Sequence, residues 1–229
     1  MSAVMSPANT FSHRAPWWLP GGHLQTIWPS LFSRATIGEA PRFRRERWTT
    51  PDQDFVDVDF LVDAPDADAA VCSPIDLAAG GHAIGRGFGL YTYTRMFLGT
   101  MKPKALAKLR QHPGLFDERK LRAARNLYEF DNVFTAPLHG FRDTDDYWTR
   151  ASAKPKLSDI RIPALVLNAL NDPFIPAESL PKQSEVGPNV TLWQPRHGGH
   201  VGFAAGALPP GNSTKMPTSV VGWLKGHNH

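Results

Sequence analysis

Asp172 stands in "LNALNDPF" and His200 in "PRHGGHVGF", each a few residues beyond a short apolar run, "ALVL" and "VTLW". A carboxylate that accepts the Nδ1 proton of an imidazole fixes the ring's tautomer and stabilises its protonated form. The other ring nitrogen is then left to activate a hydroxyl or a water. In open α/β sheets such groups gather outside the carboxyl ends of parallel strands. Taken singly, Asp before Pro is an ordinary turn, and Gly-Gly-His can be only a tight corner. Taken together, at the ends of consecutive strand candidates and with the acid first, Asp172 and His200 are the candidate catalytic pair.

Such a pair serves a nucleophile, and no serine or cysteine has the surroundings of one. A nucleophile raised on a sharp strand-to-helix turn has glycine two residues before and two after it. Ser73 lies between Cys72 and Pro74, and Ser152 between Ala151 and Ala153. Ser213 follows Gly211 but precedes Lys215, and it comes after the histidine. Cys72 has no glycine at either offset. No residue is therefore assigned as the nucleophile. His197 and His200 share a glycine loop with no evident third ligand, so neither a metal nor a cofactor is expected. Gly85, Gly87 and Gly89 lack the preceding strand and following helix start of a phosphate loop.

Several elements must position the pair. "RFRRERWTT" and "DFVDVDFLVDAP" alternate polar and apolar residues around the turn "TPDQD", which specifies an antiparallel hairpin. "AAVC" is a very short strand. "IPALVLNAL", a continuous apolar run, is a buried parallel strand, and "VTLW" is another. Between "AAVC" and "IPALVLNAL" the chain is helical, about residues 77–156. "SPIDL" opens a helix. "KPKALAKLRQ" and "DERKLRAARNLYEFD" continue the helical segment, with Asp117 as N-cap and Pro103 and Pro113 as breakers. "MPTSVVGWLKG" is a closing helix. In "GGHLQTIWPSLF", Leu24, Ile27, Trp28 and Leu31 fall at helical spacing, as an apolar stripe buried against the rest of the domain or, in the sharper reading, the wall of an acyl-binding pocket or a lipid-facing patch. The class is α/β, with a hairpin, then parallel strands, in a single domain over residues 1–229.

Composition narrows the function classes. An apolar fraction of 41% and a charged fraction of 20% belong to a globular chain. The 25 Lys and Arg against 21 Asp and Glu give a net charge of +4 and a pI of 9.3. The dense basic cluster, Arg42 to Arg47, is one strand with a solvated face, and no nucleic-acid motif accompanies it, so nucleic acid is not an expected partner. One cysteine excludes an internal disulfide and suits a reducing compartment. "MSAVMSPANTFSHRAPWW" is not expected to be a signal peptide, since no apolar run follows a basic start, and no run approaches a membrane span. The expected location is the cytoplasm.

The stretches "GGHLQTIWP", "TPDQDFVDVDF", "SPIDL", "KPKALAK", "FDNVFTAPLHGFRDTDDYW", "LVLNALNDPFIP" and "GGHVGF" together resemble the YheT-type branch of the α/β-hydrolase superfamily, whose members are serine carboxylesterases and lipid-ester hydrolases. The resemblance runs from about Phe11 to Phe203. It implies that the family's acid and base positions are Asp172 and His200. Within the matching stretches, His23, Trp28, Phe174 and Phe203 are the substrate-pocket candidates, for a small-molecule ester or acyl-chain ligand.

The same resemblance implies a departure. Between the hairpin and "SPIDL" the family pattern holds three βα units, including an "HG" loop with an oxyanion amide and the G-x-S-x-G elbow. Here "VDAPDADAA" runs straight into "VCSPIDL", so at about 30 residues per unit roughly ninety residues are absent, with the seam near Ala70 and Val71. "LHGF", with His139 and Gly140, resembles the oxyanion loop only by letters, because no apolar strand leads into it. The expectation is an incomplete α/β-hydrolase sheet that keeps acid and base, lacks the nucleophile and is weak or inactive. The alternative is a non-catalytic scaffold or interaction remnant. Unprotected sheet edges predict self-association.

Overall fold

Alternating polarity does produce a hairpin. In the computed structural model, which describes residues 10–32, 42–49, 55–61 and 67–227, β1 (Phe43–Thr49) pairs antiparallel with β2 (Phe55–Leu61). Arg47 faces Asp57 in this register, and its guanidinium donates to both carboxylate oxygens at 2.7 and 3.0 Å. The basic strand is exposed along almost its whole length. The connecting turn "TPDQD" lies outside the described residues.

The apolar runs form a second, parallel sheet. β3 (Asp68–Val71), β4 (Ala164–Leu167) and β5 (Val190–Trp193) pair in the order β3-β4-β5. β4 has no polar residue and lies in the middle, and all four of its residues are buried. Strands of this kind are covered on both faces. Leu165 and Leu167, two residues apart, share one face and pack in a core with Phe11, Trp193 and Phe203. The closing helix, Lys215–Lys225, adds Met216, Val220 and Trp223 to that core, at i, i+4 and i+7. Together these features make the mixed helix-and-sheet architecture of an incomplete α/β-hydrolase fold.

The chain divides into two compact units. One holds both sheets and comprises Met1–Ser73, Pro155–Pro173 and Leu180–His229; the other is helical and comprises Pro74–Lys154 and Phe174–Ser179. In the helical unit, Asp76 caps the helix Leu77–Ile84 by accepting from the Ala79 amide at 3.0 Å. Helix Arg95–Gln111 runs through Pro103, contrary to the breaker expected there. The carbonyl that would meet the proline ring belongs to Gly99, four residues back, where no side chain adds to the crowding. Pro113 does lie beyond that helix's end.

The segment "DERKLRAARNLYEFD" is not one helix but two. Asp117 caps Glu118–Ala123, as its sequence position suggests. Asn126 then caps Leu127–Val133, accepting from the Glu129 amide at 2.8 Å, while the Glu129 carboxylate takes the Arg125 amide at 2.7 Å. A capping pair inside a helical pattern starts a new helix.

Helix Gly21–Phe32, α1 below, forms where its spacing predicts, but with another face inward. Its buried residues are Gln25 and Pro29, whereas Leu24 is 47% and Leu31 69% exposed. The reason is polar, and it lies in the site described next. Among the described residues, no helix is long and apolar enough to cross a membrane.

Candidate active site

Two strand-end loops leave the parallel sheet side by side because the backbone ladder continues past the strands. The Asn168 amide donates to the Trp193 carbonyl at 3.0 Å and the Leu170 amide to the Pro195 carbonyl at 2.8 Å. A turn from Ala169 to Asp172 then brings the acid up: its Oδ2 lies 3.0 Å from Nδ1 of His200. The carboxylate is fully buried, and the imidazole is about a quarter exposed at 26%. A carboxylate at this distance accepts the Nδ1 proton, so Nε2 is the nitrogen left for proton transfer.

The loop that carries His200 is held by side chains rather than by secondary structure. Four successive amides each find a different acceptor. Gly198 donates to Gln25 Oε1 at 3.0 Å, Gly199 to Asn171 Oδ1 at 3.1 Å, His200 to Thr26 Oγ1 at 2.9 Å, and Val201 to Cys72 Sγ at 3.3 Å. Buried amides must be paired; the Phe203 amide finds the Gly198 carbonyl of the same loop at 2.9 Å, and these four turn to side chains. Gln25 completes the latch: its Nε2 donates to the Leu19 carbonyl at 2.9 Å, and its Oε1 also accepts from Asn171 Nδ2 at 2.8 Å. This explains why α1 buries a glutamine in preference to its leucines. The approach is close enough that a Cβ at Gly202 would strike the Gln25 carbonyl.

Cys72, Val201 and Phe203 all adopt left-handed backbone conformations, with φ of 51°, 63° and 43°. For a β-branched valine this is a strained state, costing about 1–3 kcal/mol, and such residues cluster at functional sites. Cys72 is the residue that sequence reasoning passed over. It lacks flanking glycines, yet it stands in the turn between β3 and the helix Leu77–Ile84, and its sulfur lies within 4.8 Å of the ligand atoms of Asp172 and His200. Its position directly behind a strand and ahead of a capped helix was the available signal. Burial pushes its thiol up to about 12, and the neighbouring Asp172 charge adds to that, so it stays protonated and unreactive near neutrality. Among the described residues, Cys72, Asp172 and His200 form the one set of donors grouped closely enough to hold a metal ion; thiolate, imidazole and carboxylate are ligand types that zinc accepts.

The other candidates have surroundings of their own. His23 lies on the exposed side of α1. Trp28 packs against Trp18 and Phe32 and donates its Nε1 proton to the Pro210 carbonyl at 2.9 Å. Phe203 is fully buried, edge-on to Phe11 and His13. Phe174 belongs to the helical unit, where Tyr93 meets it edge-on with ring centroids 4.5 Å apart. His139 and Gly140 follow the helical turn Thr135–Leu138, with no strand before them.

The chain is similar in sequence to known esterases and lipases. It is 37% identical over 145 residues to the YheT esterase of Escherichia coli (strain K12), covering 62% of this chain and 42% of that protein. It is also 37% identical over 108 residues to phospholipase ABHD3 of Mus musculus, covering 45% of this chain and 26% of that one. The chain belongs to the YheT branch of the α/β-hydrolase superfamily. The chain is also 31% identical over 100 residues to a monoacylglycerol lipase of Saccharomyces cerevisiae (strain ATCC 204508 / S288c), covering 43% of this chain and 22% of the lipase. The chain thus spans about two fifths of the YheT esterase and about a quarter of the phospholipase. No family model and no solved structure matches it.

Proposed function

We propose that the chain is an ester-hydrolase derivative that retains the acid and base, Asp172 and His200, without a nucleophilic serine, and that it turns over activated small-molecule esters slowly or not at all. The observation that carries this reading is the 3.0 Å contact between the Asp172 carboxylate and His200 Nδ1 at adjacent parallel strand ends. The kinship with esterases and lipases supplies the substrate class, a small-molecule ester or acyl chain.

In the remaining route, water adds to the ester carbonyl while His200 Nε2 takes its proton. The tetrahedral intermediate then expels the alcohol, which recovers that proton, and a carboxylic acid is left. Two features keep this route slow. No serine has glycine at both elbow offsets. The amides of Gly198, Gly199, His200 and Val201 are already engaged by side chains, so none is spare for a developing oxyanion. Loss of one oxyanion donor costs on the order of 10²–10³ in rate.

The test is a fluorophosphonate probe combined with hydrolysis of an activated short-chain ester. The expected result is no labelled serine and, at most, slow hydrolysis that vanishes in His200→Ala. Stoichiometric labelling of any serine, mapped by mass spectrometry, overturns it. We place the protein in the cytoplasm. The outer edges of β3 and β5 lack strand partners among the described residues, which supports concentration-dependent self-association, measurable by sedimentation.

A further inference from the structure

His13 is an oddity of the strand unit. It is 6% exposed, and among the described residues neither ring nitrogen makes a hydrogen bond. A buried polar group without a partner costs about 1–3 kcal/mol and calls for an explanation. The Ala204 carbonyl is near enough to favour the protonated ring but outside hydrogen-bond geometry. Burial, the largest influence, and the Lys215 ammonium favour the neutral ring instead. The ring is fixed between Phe11, stacked at 6.3 Å, and Phe203, edge-on at 5.6 Å.

His13 also lines a cavity of about 560 Å³ that includes Phe11, Arg14, Arg196 and His197. That volume falls in the range of small-molecule sites. Arg14 and Arg196 are exposed, and among the described residues no carboxylate pairs with either. A third cation, Lys215, donates to the Ser12 carbonyl at 2.7 Å and lies 5.7 Å over the Phe11 ring. Two guanidinium groups on the lining, the Lys215 ammonium behind Ser12 and Phe11, and the Phe11 and His13 rings form a built environment for an anion with an organic body.

We propose that this cavity binds a phosphate monoester, with the phosphate between Arg14 and Arg196 and the organic part against the Phe11 and His13 rings. Guanidinium forks match the oxygens of phosphate. A phosphate monoester carries about −1.5 to −2 charges near neutrality, which suits three cations better than a single carboxylate does. The phosphate can come from a soluble metabolite or from a lipid headgroup. The inference does not depend on the catalytic reading of Asp172 and His200.

The experiment titrates the full chain with glycerol 3-phosphate, with glycerol as the uncharged control, following calorimetry and the His13 ring resonances. In parallel, vesicles of phosphatidylcholine with and without phosphatidic acid are tested for sedimentable binding. The comparison protein is Arg14→Gln/Arg196→Gln, whose changes are at exposed positions and whose urea midpoint should stay that of the native chain. Saturable binding of glycerol 3-phosphate but not glycerol, with a His13 shift and an affinity loss of about a hundredfold in the double variant, supports the site with a soluble source. Binding only to phosphatidic acid vesicles, lost in the double variant, supports it with a lipid source. No binding in either arm, or equal binding by the double variant, overturns it.

Discussion

The helical unit and the strand unit are held by hydrogen bonds of opposite reach. In the helical unit, Asp76, Asp117, Asn126 and Asp143 each accept from the amide three residues on, and every one starts a helix. In the strand unit, the bonds that shape the site join residues far apart in sequence: Gln25 to Gly198, Thr26 to His200 and Cys72 to Val201. Local caps define an element whatever surrounds it. Distant latches exist only after the whole unit has assembled, so the site depends on the fold much more than the helices do.

The largest effect should come from the principal exception in the helical unit, Trp148. It is 3% exposed, packs edge-on to His82 and Tyr128, and donates to Asp131 Oδ2 at 2.9 Å. Asp131 is a carboxylate whose pKa burial pushes up. Trp148→Ala should cost about 3–5 kcal/mol in urea unfolding. A loss below 1 kcal/mol would mean that caps alone hold the helices.

Gln25→Ala in the strand unit orphans the Gly198 amide and one Asn171 amide group. The expected loss is about 1–3 kcal/mol, together with a changed His200 ring resonance as the loop slackens. An unchanged ring signal would show that the long-range latch does not shape the site. Asn126→Ala, a local cap, should cost about 0.5–2 kcal/mol and leave His200 untouched; an altered His200 signal would blur the contrast.

The smallest effect is a pH slope. Burial lowers the pKa of His13 in the folded chain below its usual 6.5. The unfolded chain therefore binds the proton first, and stability falls as pH drops from about 6.5 toward the folded-state value, below which the loss levels off. The slope from this group is at most about 1.4 kcal/mol per pH unit, and His13→Phe should remove it. Parallel pH profiles for native and variant would show that the ring does not titrate in this way.

This contrast also decides what the sequence could show. The hairpin, the buried strands "ALVL" and "VTLW", the Asp117 cap and the pairing of Asp172 with His200 all follow from local pattern and strand order. Asn126 was legible too, since Glu129 three residues later completes a capping pair, but the continuous helical propensity around it masked the break. The burial of Gln25 was not legible, because the leucines of the same helix carry the apolar pattern. Nothing within reach of Gln25 in sequence announces the amides it serves. Cys72 likewise acquires its place beside His200 through strand order rather than through its neighbours.

Gln25 and its partner Gly198 are 173 residues apart. At about 5–20 residues per second, a ribosome needs on the order of 10–35 s to make the second after the first. For most of that interval α1 is outside with its latch side unmatched, and its leucines can find other company. The site can therefore close only after Gly198 has been made, and a nascent chain stalled before that residue should present α1 as a free amphipathic segment to chaperones and proteases.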